Sequence, residues 1–172
     1  MHTTLIALCG AIILAAQGSA LAHITLEERE AAAASTYKAV LRVGHGCEGS
    51  PTVSIRVQIP DGVIAVKPMP KPGWQLATRI EPYPEPVRYF EATLTEGVRE
   101  IAWSGGSLPD AWYDEFVFRG QLPDAEPGTT IYFPVVQECE TGIHRWIEIP
   151  AEGKSSDDYE EPAPGVMLTP KS

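Results

Sequence analysis

Histidine is scarce in this chain, and two of its four copies stand where imidazole chemistry is easiest to build. His23 directly follows Ala20-Leu21-Ala22, a small-x-small triplet of the kind that signal peptidases cut. Cutting there would make His23 the first residue. A first-residue histidine offers a chelate that no internal histidine can make, because its free α-amine and its Nδ1 can bind one ion together. Nitrogen donors in a near-planar arrangement favour Cu(II) over most divalent ions. The amine must lose its proton first, and α-amines titrate at about 7.7–8.0, so binding should weaken as pH falls. The competing reading is that a histidine at this point is an accident of processing.

The second candidate is His45, in Gly44-His45-Gly46-Cys47. Flanking glycines let the backbone turn tightly or approach a ligand closely. A histidine in such a loop could add a third nitrogen, or simply make an ordinary loop hydrogen bond. Cys47 beside it is expected to pair with Cys139 of Glu138-Cys139-Glu140 rather than to ligate metal as a thiolate. That bridge would close a loop of 92 positions. In the chain-entropy description, a loop of that length stabilises by about 4 kcal/mol. It would also hold the His45 loop against the Cys139 segment. In Gly142–Glu148, period two puts His144, Trp146 and Glu148 on one strand face. Trp146 could pack in the core or line a metal site, whereas His144 is expected at the surface near a turn.

The compartment follows from the first 22 residues. Met1–Ala22 contains no Asp, Glu, Lys or Arg, and its apolar stretch runs only from Leu5 to Ala16. A membrane-spanning helix needs about 20 residues, so the segment is read as a cleaved signal peptide. It departs from the usual pattern in lacking a basic residue near its start. Its removal would take Cys9 away and leave two cysteines of the three, an even number suited to an oxidising, periplasmic or secreted location. The 150 residues that remain of 172 would carry the whole net charge of −10. Acidity without basic clusters argues against nucleic acid and anionic membranes as partners. The chain has no Gly-rich phosphate loop, no G-x-S-x-G elbow and no H-E-x-x-H motif. Only Met69 and Met167 would remain, so no methionine-rich Cu(I) site is visible. Asp114 and Glu115 fall on opposite faces of a strand and make no carboxylate pair.

The elements that would have to position these residues are strands. Alternation with period two marks Tyr37–Val43, Thr52–Ile59, Trp74–Ile80, Val87–Leu94, Glu100–Trp103, Trp112–Arg119, Thr129–Val136 and His144–Ile149. Pro60-Asp61-Gly62, Lys71-Pro72-Gly73, Glu81–Pro86, Ser104-Gly105-Gly106 and Pro123–Gly128 separate them as turns. Many short strands with regular turns predict an all-β sandwich over residues 23–150. Leu26–Ser35 is helix-prone but short, and reads as an extended or partly helical opening. Residues 151–172 are acidic and poor in apolar periodicity, which predicts a flexible tail.

Taken together, these residues resemble the YcnI-like family of exported copper-binding domains. The likeness runs through His23-Ile24-Thr25-Leu26, Glu30-Ala31, Tyr37–Val43, Ile59–Val63, Pro72-Gly73-Trp74, Leu108–Phe118 and Trp146. It implies a β-sandwich of cupredoxin-like or fibronectin-like appearance, with Cu(II) held by the amine and imidazole of His23, an acidic residue and a nearby tryptophan, matched here by Trp146. The acidic ligand is where this chain departs. The loop after the first long strand reads Gly44-His45-Gly46-Cys47-Glu48, so His45 is expected to replace the carboxylate and complete a histidine brace, with Glu48 as the fallback ligand. The function implied is copper acquisition, buffering or delivery by a monomer that exchanges metal with other copper-handling exported or membrane proteins and turns nothing over itself. The alternatives are a histidine-brace oxidative enzyme and a structural or adhesive sandwich without metal.

Overall fold

A computed structural model describes residues 23–171. The expected signal peptide, Met1–Ala22 with Cys9, lies outside the described residues. The chain is all-β, as the alternation predicts. Its strands are β1 Thr25–Leu26, β2 Glu30–Ala32, β3 Thr36–Val43, β4 Thr52–Gln58, β5 Ile64–Pro68, β6 Gln75–Tyr89, β7 Ala92–Leu108, β8 Asp114–Gln121, β9 Thr130–Tyr132, β10 Val135–Cys139, β11 Ile143–Trp146 and β12 Gly165–Thr169. One sheet is ordered β1-β3-β8-β5 and a second β11-β10-β4-β7-β6, while a small third sheet, β2-β12-β9, completes the fold.

Alternation builds the core directly. Tyr37, Ala39, Leu41 and Val43 on β3, and Phe116 and Phe118 on β8, point inward from one sheet. Ile55 and Val57 on β4, Ile101 and Trp103 on β7, and Val135 on β10 answer from the other. Trp103 and Phe116 meet edge to face with ring centres 5.6 Å apart. The indole N–H of Trp103 donates to the Met69 carbonyl at 3.0 Å, so its one polar atom is satisfied inside the apolar layer.

Three departures from the sequence-based expectations have physical causes. The proline-rich stretch Glu81–Pro86 does not interrupt a strand but lies within β6. Pro82, Pro84 and Pro86 alternate, so their missing N–H groups fall on one side of an edge strand, where no ladder partner is needed. The register shift between Pro82 and Val87 marks the place. Ser104-Gly105-Gly106 likewise continues β7. The opening segment is extended, with β1 paired to β3 and β2 paired to β12.

The third departure is the larger one. The flexible tail expected beyond Pro150 is corrected by β12, which pairs parallel with β2 and antiparallel with β9. Ala163, Val166 and Leu168 are buried there, and Val166 and Leu168 belong to the main core. Five residues of weak periodicity in an acidic context carry little strand signal, and the pairing partners lie far away in sequence.

Candidate metal-binding site

The candidate residues come together at one end of the sandwich, and register explains how. β1 pairs Thr25 with Arg42 and Leu26 with Leu41. Carried back along the chain, that register sets His23 opposite Gly44, next to His45. Ile24 is buried, which pins the residue after His23. On the other sheet, β10 and β11 pair Gln137 with His144 and Val135 with Trp146. Directly paired residues share a face, and this face points inward.

Trp146 is the hub. Its ring centre lies 5.6 Å from that of His23, 6.3 Å from that of His45 and 4.9 Å from that of His144. His45 and His144 stand edge to face at 5.8 Å. The structure therefore gathers His23, His45 and Trp146, three residues singled out from the sequence. It adds His144, half-buried in the cluster rather than loose at the surface as expected. The alternation on β11 already placed His144 and Trp146 on one face. What it could not reveal was that this face turns inward up to the rim.

Each ring is held. Nδ1 of His45 lies 2.5 Å from the carbonyl oxygen of Gly46, which fixes the N–H on Nδ1 because a carbonyl can only accept. His144 Nδ1 faces the Glu161 carboxylate at 2.8 Å. Nε2 of His23 is enclosed and makes no hydrogen bond. An enclosed nitrogen without a partner costs about 1–3 kcal/mol, and this one is not the Nδ1 that a chelate with the α-amine would use. Beside His23 is a cavity of about 240 Å³, bordered by Lys154, Ser155, Ser156 and the Pro162–Gly165 segment.

The backbone around the rings is fixed by two devices that the sequence reading did not single out. Gln137 is buried at a core position, where it donates to the His45 carbonyl at 2.7 Å and to Thr52 Oγ1 at 2.8 Å. Its own side-chain oxygen accepts the indole N–H of Trp146 at 2.9 Å. Asp110 Oδ1 accepts the Gly46 N–H at 2.9 Å, tying the His45 loop to the segment before β8. A polar residue between the apolar Val135 and the bridged Cys139 on an inward face is the signal that could have found Gln137.

The expected disulfide is present: Cys47 and Cys139 are bonded, with Cα atoms 6.0 Å apart. It holds the His45 loop against β10, whose Cys139 is paired with Thr52 of β4. Such a bridge is compatible with an extracellular location. Glu48 sits exposed at the tip of the Cys47–Ser50 turn, with a positive φ of 50°. It shares with His144 the lining of a cavity of about 280 Å³. Asp114 and Glu115 serve other contacts, Asp114 with Lys71 at 2.6 Å and Glu115 with the Tyr113 hydroxyl.

Among the described residues, no group of three His, Cys, Asp or Glu side chains is set up to hold a metal. An ion here would need a donor beyond side chains, and a free α-amine would be one only if the chain were cleaved ahead of His23. An imidazole nitrogen paired with such an amine nitrogen would be a donor set suited to Cu(II). Among the described residues no helix is long and apolar enough to cross a membrane.

A disulfide-bonded β-sandwich with histidines clustered on a rim tryptophan is the class of protein these features define. The chain belongs to a family described as a domain of unknown function (DUF1775), whose model matches residues 23–168. That match runs from His23 into β12, so the C-terminal strand belongs to the domain. Among solved structures, the chain is similar to an uncharacterized protein from Nocardia farcinica reported to have an immunoglobulin-like fold. The two are 25% identical with a TM-score of 0.62, over 86% of this chain and 98% of the other. Comparison with curated proteins gives no match.

Proposed function

We propose that this chain is an exported Cu(II)-binding protein of the YcnI-like kind, which acquires, buffers or delivers copper and catalyses no reaction itself. Copper is its cargo. In this reading, cleavage after Ala22 frees the amine of His23, and that amine and the His23 imidazole chelate the ion. His45 takes the place of the family's carboxylate, Glu48 is the fallback, and Trp146 walls the site. The protein works as a monomer in the periplasm or outside the cell and exchanges copper with other copper-handling exported or membrane proteins.

The observation that carries the reading is the convergence of His23 and His45 on the Trp146 ring, from segments more than twenty residues apart in sequence. A structural sandwich has no need to collect its histidines around one indole. The test is calorimetric titration of Cu(II) into protein beginning at His23, beside protein carrying one extra residue ahead of it. The expected result is one Cu(II) per processed chain and severe weakening in the extended form. Undiminished tight binding by the extended form would reject the amine chelate. Loss of nitrogen hyperfine coupling in His45→Ala would support His45 as a ligand, and an unchanged spectrum would remove it.

A further inference from the structure

We propose that the cleft beneath the distal half of the β6–β7 hairpin binds a small organic ammonium ion with an apolar body. The cleft and the histidine cluster occupy opposite ends of the sandwich. Ala34, which borders the cleft, precedes β3, whereas Gly44 and His45 follow it. An eight-residue strand spans about 26 Å. The site therefore stands or falls independently of the copper reading.

Shape is the first argument. The cavity measures about 730 Å³, within the range of roughly 300–1,000 Å³ that small-molecule sites occupy. One wall is the β6 face that carries Tyr83, Glu85, Val87 and Tyr89, residues spaced two apart along the strand. Ile64, Leu122 and Pro123 form the apolar side opposite, with Phe90 at the hairpin tip. The Tyr83 ring is buried, and a Cβ on Gly97 of β7 would collide with its hydroxyl. Glycine on the neighbouring strand is thus what lets this aromatic wall lie down. The hydroxyl is enclosed and makes no hydrogen bond, an unfavourable state that a ligand's polar group would relieve.

Charge selects the ligand. Three charged residues border the cavity, and two of them are engaged elsewhere. Arg88 is drawn round the hairpin tip, where its Nε donates to the Phe90 carbonyl at 2.6 Å and its guanidinium meets Glu91 at 3.5 Å. Asp124 is paired with Lys171 at 2.5 Å. Glu85 is the third, and among the described residues no ion pair or side-chain hydrogen bond engages it. An unpaired carboxylate beside Tyr83, Tyr89 and Phe90 is the combination that favours an organic cation, because aromatic faces attract positive charge and the carboxylate accepts its N–H groups.

The hairpin tip is strained in a way that serves this wall. Phe90 has a φ of 51°, a conformation in which a bulky side chain is uncommon and for which hairpin turns ordinarily use Asn, Asp or Gly. There its ring meets that of Tyr89 edge to face at 4.7 Å, extending the aromatic surface along the cleft.

Amide proton–nitrogen NMR spectra of metal-free protein beginning at His23, titrated with phenethylammonium and separately with hydrocinnamate, test the proposal. The two probes share a phenyl body and differ in the sign of their charge. Phenethylammonium should give saturable shifts at Val87–Phe90, Leu122 and Asp124 and leave His45 and His144 unmoved. Hydrocinnamate should bind at least about 10-fold more weakly. Glu85→Gln, a change at an exposed side chain, should unfold as the parent does yet weaken phenethylammonium at least about 10-fold. Tyr89→Leu keeps apolar bulk without the ring face and should weaken it about threefold. The proposal is overturned by shifts that never saturate or fall elsewhere, by hydrocinnamate binding as tightly, or by undiminished binding in Glu85→Gln.

Discussion

The indole N–H of Trp146 donates to the side-chain oxygen of Gln137 at 2.9 Å, and the same amide, through its nitrogen, holds the carbonyl of His45. One buried side chain thus sets the rim tryptophan and the His45 loop relative to each other. Gln137→Leu would keep most of the volume but leave the Trp146 N–H, the His45 carbonyl and Thr52 without that partner. Unsatisfied buried groups cost about 1–3 kcal/mol each. We expect Gln137→Leu to lower unfolding stability by roughly 2–5 kcal/mol, read by urea denaturation, with a shift in tryptophan emission as the indole loses its hydrogen bond. A change under 1 kcal/mol would show that Gln137 is not a positioning residue.

Gly46 is where the backbone of the His45 loop passes closest to its surroundings. A Cβ built there falls well inside van der Waals contact of the Ser50 carbonyl oxygen. That same oxygen accepts the Cys47 N–H at 3.0 Å, and the Ser50 N–H returns a bond to Cys47 at 2.9 Å. Gly46→Ala must therefore open the turn beside the disulfide. We expect a loss of about 2–4 kcal/mol in thermal or urea unfolding. Gly44→Ala makes a suitable control, since a Cβ there meets nothing within 4 Å.

The disulfide itself should account for a large share of stability. With its ends separated by 92 positions, replacing Cys47→Ser with Cys139→Ser should cost about 2–5 kcal/mol. Because the bridge also holds the His45 loop on β10, the double variant should bind Cu(II) more weakly than its loss of stability alone explains. Titration at a temperature where both proteins remain folded separates the two effects.

Strands with one buried face were legible from residue types alone. Strict alternation in Thr52–Gln58 identifies β4, and the regular pattern of β3 identifies its inward residues. Cys47 and Cys139 could be paired by counting. His144 and Glu161 could not be joined in the same way. Their contact spans 17 residues and depends on β11 turning its His144 face inward, which is decided by pairing with β10. The prolines of β6 were read as breaks because local pattern does not say which strand lies at an edge.

Tyr37 gives the fold an alkaline limit. Its hydroxyl donates to the Glu28 carbonyl at 2.5 Å, and the ring is buried. Burial, followed by the charges of Glu28 and Glu27, pushes the phenol well above its ordinary value near 10. A group whose folded value is raised contributes stability that is fully present below its unfolded value and is lost as pH climbs toward the folded one. The advantage of the parent over Tyr37→Phe should hold from pH 7 to about 10 and shrink above it. Urea unfolding of both proteins between pH 8 and 11.5 checks this. A gap that stays constant across the range would mean the phenol does not titrate with unfolding.

Truncation after Pro150 separates a dispensable tail from a structural strand. Removing residues 151–172 would strip β12 from between β2 and β9, expose the core surface that Val166 and Leu168 now cover, and delete Glu161 from beside His144. Losing even one buried aliphatic side chain costs about 2–5 kcal/mol, against a total of about 5–15 kcal/mol for an ordinary domain. The truncated chain should therefore melt far lower or without a cooperative transition. Leu168→Ala in the full-length protein should lose about 2–4 kcal/mol, with Met167→Ala, an outward position on the same strand, close to neutral. A flexible appendage would leave all three proteins alike. The strand predicts a graded order, with truncation worst, Leu168→Ala intermediate and Met167→Ala least.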